Sequence, residues 1–293
     1  MSNGLERVWP QSGDTPERYL AKIEAKSERL ETVCGKGVMV WRSWGSGPPL
    51  VLLHGGHGSW RHWVRTIPAL CSQFRLIVPD LPGLGDSDDL FEEASPEDIA
   101  KTVSYGLTQI IPSDAPYNVV GFSFGALIGG HMAAKMKADI RSLTLVGGGA
   151  LGLSRPNIPL LKWQPDMPGE ALRAIHRTNL SRLMIADPEQ IDELALHIQE
   201  VNTKKARIRS RKFAATDSLS QALRQSSPRY LNAIWGERDA VAALHMGERF
   251  DALRDIRPDV HFEIISKAGH WVAYEAADQF NAKFIALMNK RED

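Results

Sequence analysis

Short apolar runs rich in β-branched or aromatic side chains recur along the chain, and they alternate with longer stretches of helical character. Runs of this length and composition are typical of buried strands. The last of them differs, because polar and apolar side chains alternate in it as in a half-buried strand. Strands that alternate with helices predict an α/β fold, with a mostly parallel sheet and helices on both of its faces. The predicted strands are residues 38–42, 49–53, 117–120, 142–147, 230–236 and 261–265.

Three helix starts carry the same pair of residues, a capping side chain followed by proline. Thr15, Ser95 and Asp187 each offer a side-chain oxygen to the first free backbone N–H groups, and the proline that follows suits the first helical position. After Asp187, apolar side chains continue at helical spacing as far as Ile198. The predicted helices are residues 15–31, 96–111, 126–135 and 278–289, with a further helix from Asp187 onward.

The stretch from residue 150 to residue 218 has helical periodicity and no strand alternation. It separates two groups of predicted strands that belong to one sheet, so an insertion into a single domain fits better than a second domain. We therefore predict a core made of residues 1–149 and 219–293, with residues 150–218 as a helical cap over one edge of the sheet.

The most informative short motif is Gly121-Phe122-Ser123-Phe124-Gly125, which lies between a predicted strand and a predicted helix. A serine in a sharp strand-to-helix turn projects its hydroxyl clear of the sheet. Such a turn brings the two backbones close together, so the residues two positions before and after the serine must be small. This pattern indicates a nucleophile elbow with Ser123 as the nucleophile.

Two polar residues follow later strands in the order that such a serine requires. Asp239 follows the strand at 230–236, and His270 follows the strand at 261–265. The carboxyl ends of parallel strands line one edge of a sheet, where open α/β sheets place their ligands. Ser123, His270 and Asp239 are therefore predicted to act as nucleophile, general base and the carboxylate that holds the histidine.

Together these features resemble the α/β-hydrolase superfamily. Residues 49–56 are similar to its strand and oxyanion loop, and residues 75–87 are similar to its D-x-P-G-x-G-x-S segment. The resemblance implies an eight-stranded, mostly parallel sheet with an inserted lid. It also implies an oxyanion hole formed by the backbone N–H groups of Gly56 and Phe124.

Several further side chains are candidates for the substrate pocket. His57, His62 and Trp271 are predicted to face it, although each could be a structural residue. His54 is interpreted as a buried hydrogen-bonding residue beneath the oxyanion loop. The basic run at residues 204–212 is interpreted mainly as a solvated helix face.

Among serine members of the superfamily, the chain resembles the C–C bond hydrolases that cleave ring-fission products of aromatic compounds. Those enzymes carry an asparagine where the alignment gives His62, and a carboxylate-binding cap arginine where it gives Ile198. A mainly apolar pocket is therefore expected, with hydrolysis of a carboxylic ester or similar small acyl compound. The alternative is C–C bond hydrolysis of a vinylogous diketone, which an arginine from residues 204–211 in the pocket would favour. A non-catalytic ligand-binding member of the fold is the third hypothesis.

Composition narrows the classes further. The 293 residues are 43% hydrophobic and 24% charged, and 35 basic side chains balance 35 acidic ones. A net charge of zero does not favour nucleic acid or an anionic membrane. The two cysteines, the polar start and the lack of a long apolar run predict a cytoplasmic protein. No grouping has metal-ligand spacing, so neither metal nor cofactor is expected, a small-molecule substrate is the expected partner, and a homo-oligomer stays open.

Overall fold

The computed structural model describes residues 9, 11, 13–91, 93–112, 115–135, 140–164 and 166–290. The polar start of the chain, residues 1–4, lies outside the described residues. The strands are β1 (Glu28–Cys34), β2 (Gly37–Trp44), β3 (Pro49–Leu53), β4 (Arg75–Pro79), β5 (Tyr117–Phe122), β6 (Ile140–Val146), β7 (Tyr230–Gly236) and β8 (His261–Ile265). The helices are α1 (Pro16–Glu24), α2 (Ile67–Leu70), α3 (Pro96–Ile110), α4 (Phe124–Lys135), α5 (Gly169–Leu183), α6 (Glu193–Lys205), α7 (Ser218–Gln225), α8 (Met246–Ile256), α9 (Val272–Glu275) and α10 (Ala277–Asn289). Short 3₁₀ turns lie at Trp60–Trp63, Pro188–Gln190, Ser210–Phe213 and Ala243–His245.

The strands of the described residues form one sheet in the order β1-β2-β4-β3-β5-β6-β7-β8. β1 pairs antiparallel with β2, and β2 pairs antiparallel with β4. The remaining neighbours, in the order β4-β3-β5-β6-β7-β8, pair in parallel. The expected eight-stranded, mostly parallel sheet of the α/β-hydrolase fold is confirmed. Its parallel part brings the carboxyl ends of β3, β5, β6, β7 and β8 to the same edge.

Both faces of the sheet are buried, as the continuous apolar runs predict. Along β3, Leu50 and Leu52 point into one core cluster, whereas Val51 and Leu53 point into the cluster on the opposite face. This alternation follows from the two-residue period of a strand. All four side chains are fully buried.

Two of the helices between β6 and β7, α5 and α6, pack onto the first of these clusters. Leu180 of α5 and Leu194 and Ile198 of α6 are buried in it, together with Trp63 and Trp271. α7 instead packs against α4, where its Ser218 hydroxyl lies 2.8 Å from Nε2 of His131. The division into a core and a cap stays a prediction, but α5 and α6 do share hydrophobic surface with the strand-bearing part of the chain.

Two expected elements differ in the structure. The helix expected over residues 15–31 ends at Glu24, and residues from Glu28 form the edge strand β1. Thr32 of β1 points inward, where its hydroxyl oxygen accepts a hydrogen bond from the Trp41 indole at 2.8 Å. Pairing with β2 thus overrides the helical periodicity.

The helix expected from Asp187 begins later than predicted and continues past Ile198. Pro188–Gln190 forms a 3₁₀ turn, and α6 begins only at Glu193. Its cap is Asp192, whose carboxylate accepts a hydrogen bond from the backbone N–H of Ala195 at 2.8 Å. Both aspartates have capping chemistry, and the second one caps the longer helix. Within the described residues, no helix combines the length and the apolar composition needed to cross a membrane.

Candidate active site

Ser123 lies in the turn between β5 and α4 and has a φ of 51°. A positive φ is uncommon for a residue with a side chain, and it is the backbone conformation that a nucleophile elbow requires. A Cβ atom on Gly121 would stand 2.3 Å from the carbonyl oxygen of Gly125, and a Cβ on Gly125 would stand 2.3 Å from that of Leu53. The two glycines are therefore required by the approach of backbone to backbone.

The turn places Ser123 beside the two polar residues that follow later strands. Oγ of Ser123 lies 3.0 Å from Nε2 of His270, and Nδ1 of His270 lies 2.8 Å from Oδ2 of Asp239. Asp239 is 0% exposed and His270 is 4% exposed. The other carboxylate oxygen of Asp239 accepts the backbone N–H of Val241 at 2.8 Å, which fixes the carboxylate plane. A base within hydrogen-bond reach of a serine, itself held by a carboxylate, can remove the serine proton.

A glutamate that the sequence pattern does not reveal holds the histidine loop. The carboxylate of Glu275 accepts backbone N–H groups from Gly269 at 2.7 Å, from Ala186 at 3.0 Å and from Asp187 at 2.8 Å. The N–H of Trp271 also donates to the carbonyl oxygen of Met184 at 2.7 Å. The loop that carries the histidine is therefore bound to the chain that follows α5.

The residues of the expected oxyanion hole line the same cavity as Ser123. Phe124 begins α4, and the first N–H groups of a helix have no acceptor within it. Gly56 faces the segment after α6, because a Cβ on Gly56 would stand 2.3 Å from Oγ of Ser210. A larger residue at position 56 would therefore collide with Ser210 at the cavity wall.

Neutral histidines support this loop from below. His54 donates from Nδ1 to the carbonyl oxygen of Gly55 at 2.8 Å, and its Nε2 accepts the N–H of Leu81 at 2.9 Å. The N–H of Gly55 donates to Nδ1 of His62 at 3.2 Å. Burial lowers the pKa of His54 and holds the pKa of His62 well below its usual range. The imidazoles therefore serve this loop as uncharged hydrogen-bonding groups.

A cavity of about 400 Å³ opens above Ser123 and His270. Its volume suits a small organic ligand. His57 and His62 line it, whereas Trp271 does not. Trp271 lies behind His62, where its indole N–H donates to the carbonyl oxygen of His62 at 2.9 Å.

The cavity lining is mainly apolar, as expected, and Phe124 contributes to it, but cationic side chains line it as well. Arg155, Lys162 and Arg211 line it, and no carboxylate does so among the described residues. Ile198, aligned with a carboxylate-binding arginine, is fully buried in the core. The arginines of the cavity therefore come from positions 155 and 211 and not from position 198.

The two arginines that line the cavity repel each other. Partial burial and the neighbouring Arg155 cation lower the pKa of Arg211. Burial, and then the cation of Arg211, lower the pKa of His57. No ion pair joins either guanidinium to a carboxylate of the described residues. An anion bound between them would relieve this repulsion.

The remaining basic run has a structural role that was not expected. Lys205 pairs with Asp86, and Arg207 pairs with Asp89 at 2.8 Å. The N–H of Arg207 also donates to the carbonyl oxygen of Gly83 at 2.9 Å. These contacts bind the end of α6 to the loop after β4.

Within the described part of the chain, no group of three or more metal-ligating side chains is found.

The family model described as the alpha/beta hydrolase family matches residues 50–283. Together with the sheet order and the serine elbow, this match shows that the chain belongs to the alpha/beta hydrolase family, and it is a hydrolase of that fold. Its expected resemblance to the superfamily is confirmed.

Among similar proteins is 2-hydroxy-6-oxononadienedioate/2-hydroxy-6-oxononatrienedioate hydrolase 1 of Pseudomonas putida, which is 28% identical over 257 residues, or 79% of this chain and 85% of that protein. The dihydrolipoyllysine-residue acetyltransferase component of an acetoin cleaving system of Pseudomonas putida is 26% identical over 258 residues. That match covers 83% of this chain, which spans 64% of the relative's length.

Solved structures agree on the fold. A candidate lipase from Acinetobacter baumannii AYE superposes with a TM-score of 0.77 at 19% identity, over 97% of this chain and 98% of that one. A carboxylesterase from Bacillus subtilis gives a TM-score of 0.70 at 18% identity, over 92% of this chain and 94% of that one. Identities this low show the fold and carry no information about substrate.

The packing of the elbow predicts the effect of adding one methyl group there. Gly125→Ala should destabilise the protein by about 3 kcal/mol, because its Cβ meets backbone that cannot move independently. Urea denaturation checks the free energy of unfolding. Gly247→Ala in α8 is the matched control, since no atom lies within 4 Å of its Cβ position. Equal stability of the two variants would contradict the close backbone contact.

Proposed function

We propose that the protein hydrolyses a small acyl compound that carries a carboxylate, through an acyl-enzyme on Ser123. The observation that carries the proposal is the pairing of a serine–histidine–aspartate chain of hydrogen bonds with an arginine-lined cavity. Neither feature alone is sufficient. The first supplies a nucleophile, and the second selects what reaches it.

In the proposed reaction, Oγ of Ser123 attacks the acyl carbon while Nε2 of His270 takes the serine proton. The negative charge that develops on the acyl oxygen is bound by the N–H groups of Gly56 and Phe124. His270 then gives its proton to the leaving group. Water repeats the sequence on the acyl-enzyme and releases the acid. Asp239 keeps the imidazole in the required tautomer and stabilises its cation.

The arginines favour one substrate class over neutral esters. A permanent carboxylate needs a fixed cation or a bidentate donor, which the planar guanidinium supplies. Arg211 keeps much of its side chain exposed, so it lies toward the cavity mouth rather than beneath the substrate. A carboxylate at the end of the substrate remote from the acyl carbon fits this placement.

This arrangement ranks C–C bond hydrolysis of a 2-hydroxy-6-oxo dienoate first and hydrolysis of a carboxylate-bearing ester second. The relative that acts on 2-hydroxy-6-oxononadienedioate supports the first, because its substrate is an acyl compound with carboxylates. In C–C bond hydrolysis the bond from the acyl carbon to its neighbouring carbon breaks, and the neighbouring carbon takes a proton.

The remaining hypothesis is a non-catalytic ligand-binding role. Measured turnover of a substrate would exclude it.

Residues 150–218 are proposed to act as the lid of this site. Much of the cavity wall comes from this stretch, including Trp163, His176 and Ser210. A lid excludes water from the acyl-enzyme and selects the substrate. The proposed partner is a small-molecule substrate, and a homo-oligomer stays open.

The first test addresses the nucleophile. Ser123→Ala should abolish hydrolysis of p-nitrophenyl acetate and labelling by a fluorophosphonate, because no other group forms the acyl-enzyme. The loss should be on the order of a millionfold in kcat. Circular dichroism checks that the fold is intact. Turnover within tenfold of the unmodified protein would contradict the serine mechanism.

The second test addresses the carboxylate. Asp239→Asn should lower kcat by about 10⁴, since an amide at the His270 Nδ1 position favours the wrong tautomer. Steady-state kinetics with the same ester measure the effect. Asp251→Asn, an exposed position on α8, is the control and should leave kcat unchanged. Similar rates for both variants would remove Asp239 from the mechanism.

The third test addresses the carboxylate site. Arg211→Gln should lower kcat/KM about tenfold for p-nitrophenyl hydrogen succinate and leave p-nitrophenyl butyrate unchanged, because only the first carries a charge to pair. Arg209→Gln is the control from the same basic run, since Arg209 does not line the cavity. A 2-hydroxy-6-oxo dienoate should be turned over faster than either ester. An equal loss on both esters would show that Arg211 does not read the substrate charge.

A further inference from the structure

One cavity-lining side chain has a hydrogen-bonding capacity that none of the described residues uses. His176 lies on α5, lines the cavity and is 1% exposed. Among the described residues, neither Nδ1 nor Nε2 of its ring has a hydrogen-bond partner. Buried donors and acceptors are nearly always paired, so an imidazole with both nitrogens free is unusual.

The walls around this imidazole are fixed by neighbouring contacts. The indole of Trp163 lies 6.0 Å from the His176 ring, between ring centres. One turn along α5, the Asn179 amide bonds both backbone groups of Leu161, at 2.8 and 2.9 Å. Asn179 therefore holds the segment that carries Trp163 against α5, so His176 and Trp163 form one preformed wall.

The charges near His176 leave its ring neutral. Glu200 and Lys204 face it from α6, and they pair with each other at 2.7 Å. Burial lowers the pKa of His176, and the nearby Glu200 and Lys204 act in opposite directions. A neutral imidazole presents one N–H donor and one nitrogen acceptor. A hydroxyl group uses both, whereas a carboxylate could use only the donor.

We propose that His176 and Trp163 form a second subsite of the cavity, which binds a hydroxyl group on the substrate at a point remote from the acyl carbon. The subsite rests on the proposed function and adds to it a neutral polar contact distinct from the carboxylate site at Arg211. Both ring nitrogens are buried without a partner among the described residues, so a bound hydroxyl would satisfy groups that are otherwise unpaired. His176 is a specificity residue in this scheme and takes no part in proton transfer.

Matched substrates test the subsite. The probes are p-nitrophenyl esters of straight-chain acids from butanoyl to octanoyl, each with and without a terminal hydroxyl. The unmodified protein should prefer the hydroxylated ester by roughly tenfold in kcat/KM at one chain length. His176→Phe should remove this preference, and His176→Gln should retain part of it because glutamine both donates and accepts. The turnover of p-nitrophenyl acetate, which is too short to reach the subsite, gives the rate against which the preference of each protein is normalised.

The control is His197→Phe on α6, because His197 pairs with Glu17 outside the cavity. It should keep the preference for the hydroxylated ester. Thermal melting of each variant separates loss of the subsite from loss of the fold. The absence of any hydroxyl preference in the unmodified protein, or its survival in His176→Phe, would overturn the subsite.

A binding measurement keeps this result separate from a failure of the hydrolase function. If p-nitrophenyl acetate is not hydrolysed at all, the proposed function fails and the subsite is tested by nitrogen NMR of ¹⁵N-histidine-labelled protein. The resonances lost in His176→Gln identify His176. A shift of these resonances on addition of 6-hydroxyhexanoate, and none with hexanoate, supports the subsite. Equal shifts with both acids, or none with either, would overturn the hydroxyl subsite.

Discussion

The close approach of β5 and α4 at Ser123 is the constraint on which the site depends. The carbonyl oxygens of Leu53 and Gly125 occupy the space that side chains at positions 125 and 121 would need. Only glycine permits this approach, which holds Ser123 at a positive φ and directs its hydroxyl out of the sheet edge. The same turn begins α4, so the N–H of Phe124 lies beside Ser123. The proposed nucleophile and the proposed oxyanion donor are thus positioned by one piece of backbone.

A second set of contacts joins the histidine to the residues that shape the cavity. Glu275 accepts N–H groups from the loop of His270 and from the chain after α5. At the other end of α6, Lys205 and Arg207 bind the loop after β4. Exposed ion pairs of this kind contribute little free energy individually. Their position is more important than their strength, because they hold the cavity walls against the sheet edge that carries Ser123 and His270.

The cavity combines two kinds of polar group with different roles. Arg155 and Arg211 repel each other and lack a carboxylate partner among the described residues, so they favour an anionic ligand. His176 is neutral and buried, so it suits an uncharged hydroxyl. Groups left unpaired in a buried site are unfavourable for the free protein, and they become specific contacts when the matching ligand is bound.

The sequence by itself determined the α/β pattern, the serine elbow and the order of Ser123, Asp239 and His270. Each of these depends on neighbours within a few residues, or on strands that always end at the same edge of a parallel sheet. It did not determine the edge strand Glu28–Cys34, which forms only by pairing with β2. It also did not determine which side chains line the pocket, because Trp271 turns away behind His62 while Arg155, His176 and Arg211 converge from separate segments. That convergence depends on how the stretch between β6 and β7 folds back over the sheet, and no local periodicity encodes distances between segments so far apart in the chain.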